Sequence, residues 1–240
     1  MKTKYLLIQL LFLCVYTLSF AQQTSSSVYY NPIVHNGLTR IEHNNSGSNN
    51  IDLSEVKGSP YEMDNFQSGK VINQNTGKPE IFYLRYNVYN DVIELKTEPN
   101  GKISNELIKS EKIYAIINNK EYRYKKYPDR NSNPKEGYFI LLKKGNYNSL
   151  YLKKLKKFKD KILPKDNFEK EKPATFTDDK AFYIQKGDAF VEIPSRKKKF
   201  LEQYPKISKE LNKYLKSEKI NLKSEKDLIQ LFNYMDTLLE

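Results

Sequence analysis

Histidine and cysteine, the side chains that most often carry nucleophilic or metal chemistry, are scarce in this chain of 240 residues. The two histidines, His35 and His43, fall in a polar stretch rich in Ser and Asn. A metal site or a catalytic triad needs histidines that a rigid surrounding shell holds in place. The single cysteine, Cys14, lies in an apolar run near the N-terminus. These residues therefore predict no metal site, no thiol catalysis and no cofactor.

Carboxylates are the remaining groups for acid–base chemistry, and Asp91 and Glu94 lie near Arg85 in the sequence. Paired carboxylates beside an arginine can cleave or bind a sugar chain, although such clusters are more often structural ion pairs at a turn. A carboxylate-dependent envelope hydrolase is therefore kept as an alternative function. The structural or binding block expected here consists of Arg85, Tyr86, Asn87, Asn90 and Asp91.

Positive charge is the other chemical feature, because 41 Lys and Arg outnumber 29 Asp and Glu and give a net charge of +12. Such a charge favours an anionic partner. Residues 150–159 mix apolar side chains with lysine pairs, which suits either a cationic helix on a membrane or an edge strand protected by lysines. The preceding turn at Gly145 and Asn146 favours the edge strand. The candidate anion-binding residues of this segment are Lys153, Lys154, Lys156 and Lys157.

The first 21 residues have the pattern of a secretory signal peptide. Lys2 and Lys4 precede an apolar run that ends in Ser19-Phe20-Ala21, which has small residues at the two positions that a signal peptidase reads. The apolar run is shorter than the roughly 20 residues of a membrane-spanning helix. We therefore expect an exported protein, periplasmic or secreted, with no transmembrane span after processing.

Periodicity predicts an α+β protein with an antiparallel β-meander or sandwich-like domain, followed by a β-hairpin and C-terminal helices. Apolar residues alternate in the segment 80–89, and short strand-like runs are separated by turn residues such as Asn118-Asn119. Four-residue apolar spacing begins after Pro205 and predicts helices. The expected organisation is a signal peptide at 1–21, a flexible tether at 22–57, the β domain at 58–162, and a linker, hairpin and helical unit at 163–240.

The run LRYNVYNDVIEL at residues 84–95, together with Gly58-Ser-Pro-Tyr61 and parts of the segment 182–228, resembles a group of small exported proteins of Bacteroidota. The block at residues 85–91 carries the most specific part of this resemblance. The resemblance implies export and a common architecture. It implies no activity and no catalytic residue, because the family has no assigned reaction.

Export, a β-rich framework and a basic surface together predict a non-enzymatic interaction or structural protein of the cell envelope. The expected ligands are anionic lipid, lipopolysaccharide or an acidic envelope polymer, since these are the polyanions of that compartment. Nucleic acid is disfavoured because the protein is expected to leave the cytoplasm.

The signal-peptide interpretation predicts that the mature chain begins at Gln22. Mass spectrometry of the protein purified from its own cells should give the mass of residues 22–240. Retention of Met1, or a lipid on Cys14, would contradict this prediction.

Overall fold

The computed structural model describes residues 39–40, 55–101, 105–129, 132–164, 166 and 170–239. Its main feature is an 11-stranded sheet in the order β1-β5-β4-β3-β2-β6-β7-β8-β9-β10-β11, and all neighbouring strands run antiparallel. The predicted signal peptide, His35, His43, Cys14 and most of the predicted tether lie outside the described residues. The antiparallel β architecture with C-terminal helices agrees with the prediction.

The bounds of the elements are as follows. The strands are β1 (Thr39–Arg40), β2 (Gln67–Asn73), β3 (Pro79–Asn87), β4 (Val92–Lys96), β5 (Asn105–Leu107), β6 (Ile113–Ile117), β7 (Lys120–Pro128), β8 (Pro134–Lys143), β9 (Ser149–Lys159), β10 (Thr175–Lys186) and β11 (Ala189–Glu192). The helices are α1 (Lys197–Glu202), α2 (Ser208–Ser217) and α3 (Glu225–Leu239), with a 3₁₀ turn at Pro205–Ile207 between the first two.

Short turns of defined chemistry connect most neighbouring strands. Asn118 and Asn119 join β6 to β7 with φ angles of 48° and 61°, the left-handed conformation that a two-residue hairpin turn requires and that asparagine tolerates. Sequential order breaks in two places, because β1 pairs with β5, and β2 pairs with both β3 and β6. The strands β3 to β5 therefore extend the sheet to one side of β2, and β6 to β11 extend it to the other.

Strand β8 is buried on both faces, since residues 137–140 are all inaccessible to solvent. Side chains alternate along a strand, so Tyr138 and Phe139 point to opposite sides. The Tyr138 ring packs edge-on against Tyr86 and Tyr124, whereas Phe139 packs against an aromatic cluster that includes Tyr183. Two aromatic cores therefore meet at one strand.

The C-terminal helices begin and pack largely as their sequences predict. Leu211 and Leu215 of α2 are fully buried, four residues apart on one face. Ser224 caps α3, because its hydroxyl accepts a hydrogen bond from the Asp227 amide at 3.4 Å. Helix α1 has no side-chain cap, since Arg196 occupies its N-cap position and makes no cap hydrogen bond.

The basic segment 150–159 is a strand and not an amphipathic helix. The prediction that it is an edge strand is correct only in part: residues 150–152 pair with both β8 and β10, whereas residues 153–159 pair with β10 alone. Strands β10 and β11 continue the same sheet, so the boundary expected near residue 162 falls inside that sheet. Within the described residues, no helix has the length and apolar character needed to cross a membrane.

The alternation in β3 places Tyr86 in the core with Leu84, and both are almost inaccessible to solvent. We therefore expect Tyr86→Ala to lower the free energy of unfolding by about 3 kcal/mol or more, as large-to-small core substitutions do. Urea unfolding followed by circular dichroism measures this change. The exposed Tyr147→Ala is the matched control and should cost little; equal stability of Tyr86→Ala and wild type would contradict the core role of Tyr86.

Candidate functional site

Arg85, the first residue of the block singled out above, is held on all sides. Its Nε and Nη2 donate to Glu94 Oε2 at 3.1 and 2.6 Å, and its Nη1 donates to the Asp64 carbonyl oxygen at 2.8 Å. Its guanidinium carbon lies 3.6 Å from the centre of the Tyr61 ring. Stacking and charge-assisted hydrogen bonds both favour arginine over lysine at such a position. These contacts give Arg85 a structural role.

Asn87 and Asn90 order the turn between β3 and β4. The Asn87 side-chain oxygen accepts a hydrogen bond from the Asn90 amide at 3.0 Å, a bond typical of asparagine at turns. Tyr89, in the same turn, places its ring 5.2 Å from that of Phe176 in β10. The turn is therefore both internally bonded and packed against a distant strand.

Asp91 ends this turn and contacts three polar groups from three strands. It has a φ of 55°, a left-handed conformation that aspartate tolerates better than most residues. Its carboxylate accepts the Tyr86 hydroxyl at 2.6 Å and the Tyr138 amide at 3.1 Å, and it pairs with Lys153 Nζ at 2.5 Å. Lys153 Nζ also donates to the Tyr138 carbonyl oxygen at 3.0 Å. The Asp91–Lys153 pair thus serves both polar groups of the Tyr138 backbone.

The ion pair lies at the point where the pairing of β8 with β9 ends, and this position explains its structural role. Strands β8 and β9 pair from Lys143 opposite Leu150 to Ile140 opposite Leu152, and the pairing ends at that last pair. The backbone groups of Tyr138, just beyond that end, bond instead to the side chains of Asp91 and Lys153. Buried backbone groups must find partners, and two side chains provide them where the strands separate.

Lys153 is an unusual cation because only 4% of its side chain is exposed. Burial lowers the pKa of Lys153, and the nearby Asp91 carboxylate opposes that shift. Gly137 lies directly over the pair, and a Cβ at that position would collide with Asp91 Oδ2. Only glycine therefore leaves room for this ion pair beneath β8.

Glu62 is the centre of a second polar cluster. Its carboxylate pairs with Lys154 at 2.6 Å and Lys120 at 2.9 Å, and it accepts the Tyr122 hydroxyl at 2.5 Å. Burial acts to raise the pKa of Glu62, but hydrogen bonds from Lys154 and Tyr122 outweigh it and hold the pKa below its usual value. Burial and the Glu62 charge raise the pKa of Tyr122.

The lysines of β9 that were candidate anion ligands all have carboxylate partners. Lys153 pairs with Asp91 and Lys154 with Glu62. Lys156 lies opposite Asp178 in the register with β10 and pairs with it at 2.8 Å, and Lys157 pairs with Asp179 at 2.5 Å. Each of the four lysines therefore has a carboxylate partner, and this segment does not offer four unpaired cations.

The two carboxylates considered for the hydrolase alternative have separate partners. Asp91 is bonded to Tyr86, Tyr138 and Lys153, whereas Glu94 is bonded to Arg85. Neither residue lines any of the three grooves found among the described residues. The structural contacts of Asp91 and Glu94 therefore explain both carboxylates, and their geometry does not support the hydrolase alternative.

A cleft lined by cations lies where the sheet meets the C-terminal helices. It encloses about 820 Å³ between β10, the segment after β11, α1 and the loop before α3, a size within the usual range for ligand sites. Ile193 donates its amide to the Phe182 carbonyl oxygen at 2.7 Å and so fixes the segment after β11 to β10. Phe182, Ile193 and Leu222 give the cleft a buried apolar base.

The charges of this cleft are predominantly positive. Its basic lining residues are Lys180, Arg196, Lys199 and Lys223, and its acidic ones are Asp179 and Glu192. Asp179 already pairs with Lys157 at 2.5 Å. Among the ion pairs formed between described residues, none involves any of the four basic residues. The cleft can therefore provide an anion with several converging positive charges.

Sequence reasoning found part of this cleft and missed the rest. The basic run 196–199 is evident in the sequence, and it provides Arg196 and Lys199. Lys180 and Lys223 come from a strand and a loop far apart in the chain. Their approach depends on how the helices dock on β10, which no local pattern reveals.

The Asp91–Lys153 pair leads to a stability prediction. Asp91→Asn should lower the free energy of unfolding by on the order of 3 kcal/mol, because it leaves Lys153 buried without its counter-ion. The double variant Asp91→Asn with Lys153→Met should recover part of that loss, since no unpaired charge is left. Urea unfolding of wild type, both single variants and the double variant measures the coupling; strictly additive effects would show that the pair is not coupled.

Comparison with known proteins adds nothing to this geometry: no protein-family model, no curated protein and no solved structure matches the chain.

Proposed function

We propose that this protein is an exported interaction protein of the cell envelope, without enzymatic activity, that binds an anionic envelope component in the cleft between β10 and the C-terminal helices. The observation that carries the proposal is the convergence of Lys180, Arg196, Lys199 and Lys223 on that cleft. The ligand chemistry is a phosphate or carboxylate group on a larger molecule, as in an anionic lipid, lipopolysaccharide or an acidic polymer.

The lysines at 153–157 in β9 and those of the C-terminal helical part differ in their carboxylate partners, and this difference supports the cleft. In the sheet, even the nearly inaccessible Lys153 has a carboxylate partner. The lysines of the helical part are exposed, and they take part in none of the ion pairs between described residues. These exposed helical lysines are Lys197, Lys198, Lys199, Lys206, Lys209, Lys213, Lys216, Lys219, Lys223 and Lys226.

Exposed unpaired cations act over a distance on a large polyanion. Their field attracts and orients an anionic surface before contact. The cleft then provides the close contacts, because its charges come from a strand, a helix and two loops that buried residues hold in place. A flat lysine-rich surface would bind any polyanion weakly, whereas a cleft also selects for shape.

The proposal includes an arrangement of the sheet in which β10 and β11 form one side of the cleft. We interpret the sheet as sandwich-like, with its two halves packed around β8, and β10 with β11 as a hairpin that presents one wall of the cleft. The burial of Tyr138 and Phe139 on opposite faces of β8 supports this interpretation. In that arrangement the sheet is the scaffold, and the helices carry the binding surface.

The cleft proposal predicts that Lys180→Gln, Lys199→Gln and Lys223→Gln, combined in one variant, weaken binding to anionic ligands by about tenfold, since exposed ion pairs contribute up to about 1 kcal/mol each. The probes are phosphatidylglycerol vesicles, lipopolysaccharide and polygalacturonate, tested separately to distinguish the sources of the anion. Phosphatidylcholine vesicles are the uncharged comparison. Sedimentation or light scattering measures binding at low and high salt, and wild-type affinity should fall as salt screens the charges.

A matched control variant carries Lys70→Gln, Lys78→Gln and Lys112→Gln, which removes the same charge from exposed positions outside the cleft. It should bind as the wild type does. Equal weakening of both variants would mean that net charge, and not the cleft, determines binding. Failure of the wild type to bind every anionic probe at low salt would overturn the proposed function.

A further inference from the structure

A second groove opens on another surface of the sheet and shares no lining residue with the cationic cleft. Glu121, Arg123 and Lys125 of β7 line it, and they alternate with the buried Tyr122 and Tyr124. They therefore lie on the opposite face of that strand from these tyrosines. The groove encloses about 520 Å³, which is within the range of small-ligand sites.

An ordered aromatic and amide pair forms one part of this groove. Tyr151 of β9 has its ring almost inaccessible to solvent, and its hydroxyl donates to Gln185 Oε1 of β10 at 3.1 Å. Gln185 Nε2 donates in turn to the Gly187 carbonyl oxygen at 3.3 Å. Both polar ends of the Gln185 amide are therefore oriented before any ligand arrives.

Arg123 is ordered in the same way. Its Nε donates to Glu121 Oε1 at 2.5 Å, and its guanidinium carbon lies 3.8 Å from the centre of the Tyr114 ring. About a fifth of its side chain is exposed, and about a quarter of that of Glu121. A planar guanidinium and a carboxylate, both fixed, thus offer hydrogen-bond donors and an acceptor at one surface.

The turn between β8 and β9 forms one side of the groove and is braced from behind. Lys143 pairs with Asp236 of α3 at 2.5 Å, and a Cβ at Gly145 would collide with the Asn148 carbonyl oxygen. Tyr147 in this turn lines the groove with 47% of its surface exposed. An aromatic ring is therefore available at the rim of a rigid polar groove.

The mixture of groups restricts the chemistry of the ligand. A simple anion would be repelled by the carboxylates of Glu111 and Glu121. A simple cation would be repelled by the three basic residues of the groove, which are Arg123, Lys125 and Lys144. An apolar molecule would bury the polar groups of the lining without hydrogen-bond partners. A saccharide hydroxyl both donates and accepts, so adjacent hydroxyls can bond to fixed guanidinium, amide and carboxylate groups. The apolar face of a sugar ring can pack on an exposed aromatic ring such as Tyr147.

We propose that this groove binds an uncharged oligosaccharide segment, independently of the anion-binding cleft. The ordered pairs Tyr151–Gln185 and Glu121–Arg123 hold the hydroxyl-binding groups, and Tyr147 packs against a sugar ring. The groove is open to solvent along part of its surface. An envelope protein with this groove can hold glycan at one surface and an anion at another.

Titration of the full chain with maltohexaose, cellohexaose and chitohexaose, followed by calorimetry and by NMR shifts, tests this proposal. At least one of the three should bind saturably, and added salt should not change the affinity, since no charge is neutralised. Gln185→Ala and Tyr147→Ala should each weaken that binding by about tenfold, as expected when a ligand hydrogen bond or a packed ring is lost.

Gln67→Ala in β2 is the matched control, because Gln67 lines no part of the groove, and it should bind as the wild type does. Unfolding midpoints of all variants show whether they are folded. Absence of saturable binding to all three oligosaccharides, or equal affinity of the groove variants and wild type, would overturn the proposal. The anionic probes test the cationic cleft separately, so an absence of oligosaccharide binding would not contradict the proposal for that cleft.

Discussion

The ion pair of Asp91 and Lys153 is the contact on which the packing of the β3–β4 turn against β8 and β9 depends. It lies where β8 and β9 separate, and it bonds to the Tyr138 amide and carbonyl that the strand ladder leaves without partners. Because Asp91 belongs to the β3–β4 turn and Lys153 to β9, the pair joins distant parts of one sheet. Its cost in desolvation is offset by hydrogen bonds on every side, the condition under which a buried pair is tolerated.

This pair also shows how the sheet handles its many lysines. Side chains at opposite register positions neutralise one another, as Lys156 and Asp178 do across β9 and β10, and Glu62 takes two lysines at once. The lysines of the helical part are exposed to solvent, and none takes part in the ion pairs between described residues. Lys153, Lys154, Lys156 and Lys157 have carboxylate partners, which is why the anion site is proposed in the cleft beside the helices and not on β9.

Much of the fold could be read from local patterns. Alternation identified the core face of β3, the Asn118-Asn119 pair identified a tight turn, and four-residue spacing identified α2, because each depends only on residues a few positions apart. The edge assignment of β9 was correct only for residues 153–159, which have no pairing partner in β8. The pairing of residues 150–152 with β8 and the carboxylate partners of four β9 lysines both depend on other elements, which a single segment does not show.

The sequence by itself determined the strand and helix types, the core face of β3 and the net positive charge, because these follow from composition and short-range periodicity. Only the tertiary structure decided which charges are neutralised, since Asp91 and Lys153 are 62 residues apart. It also determined the two candidate sites: Lys180 and Lys223 line the cationic cleft, and Arg123 and Gln185 line the second groove. Such groupings depend on long-range strand pairing and helix docking, and those arise from the packing of the whole sheet.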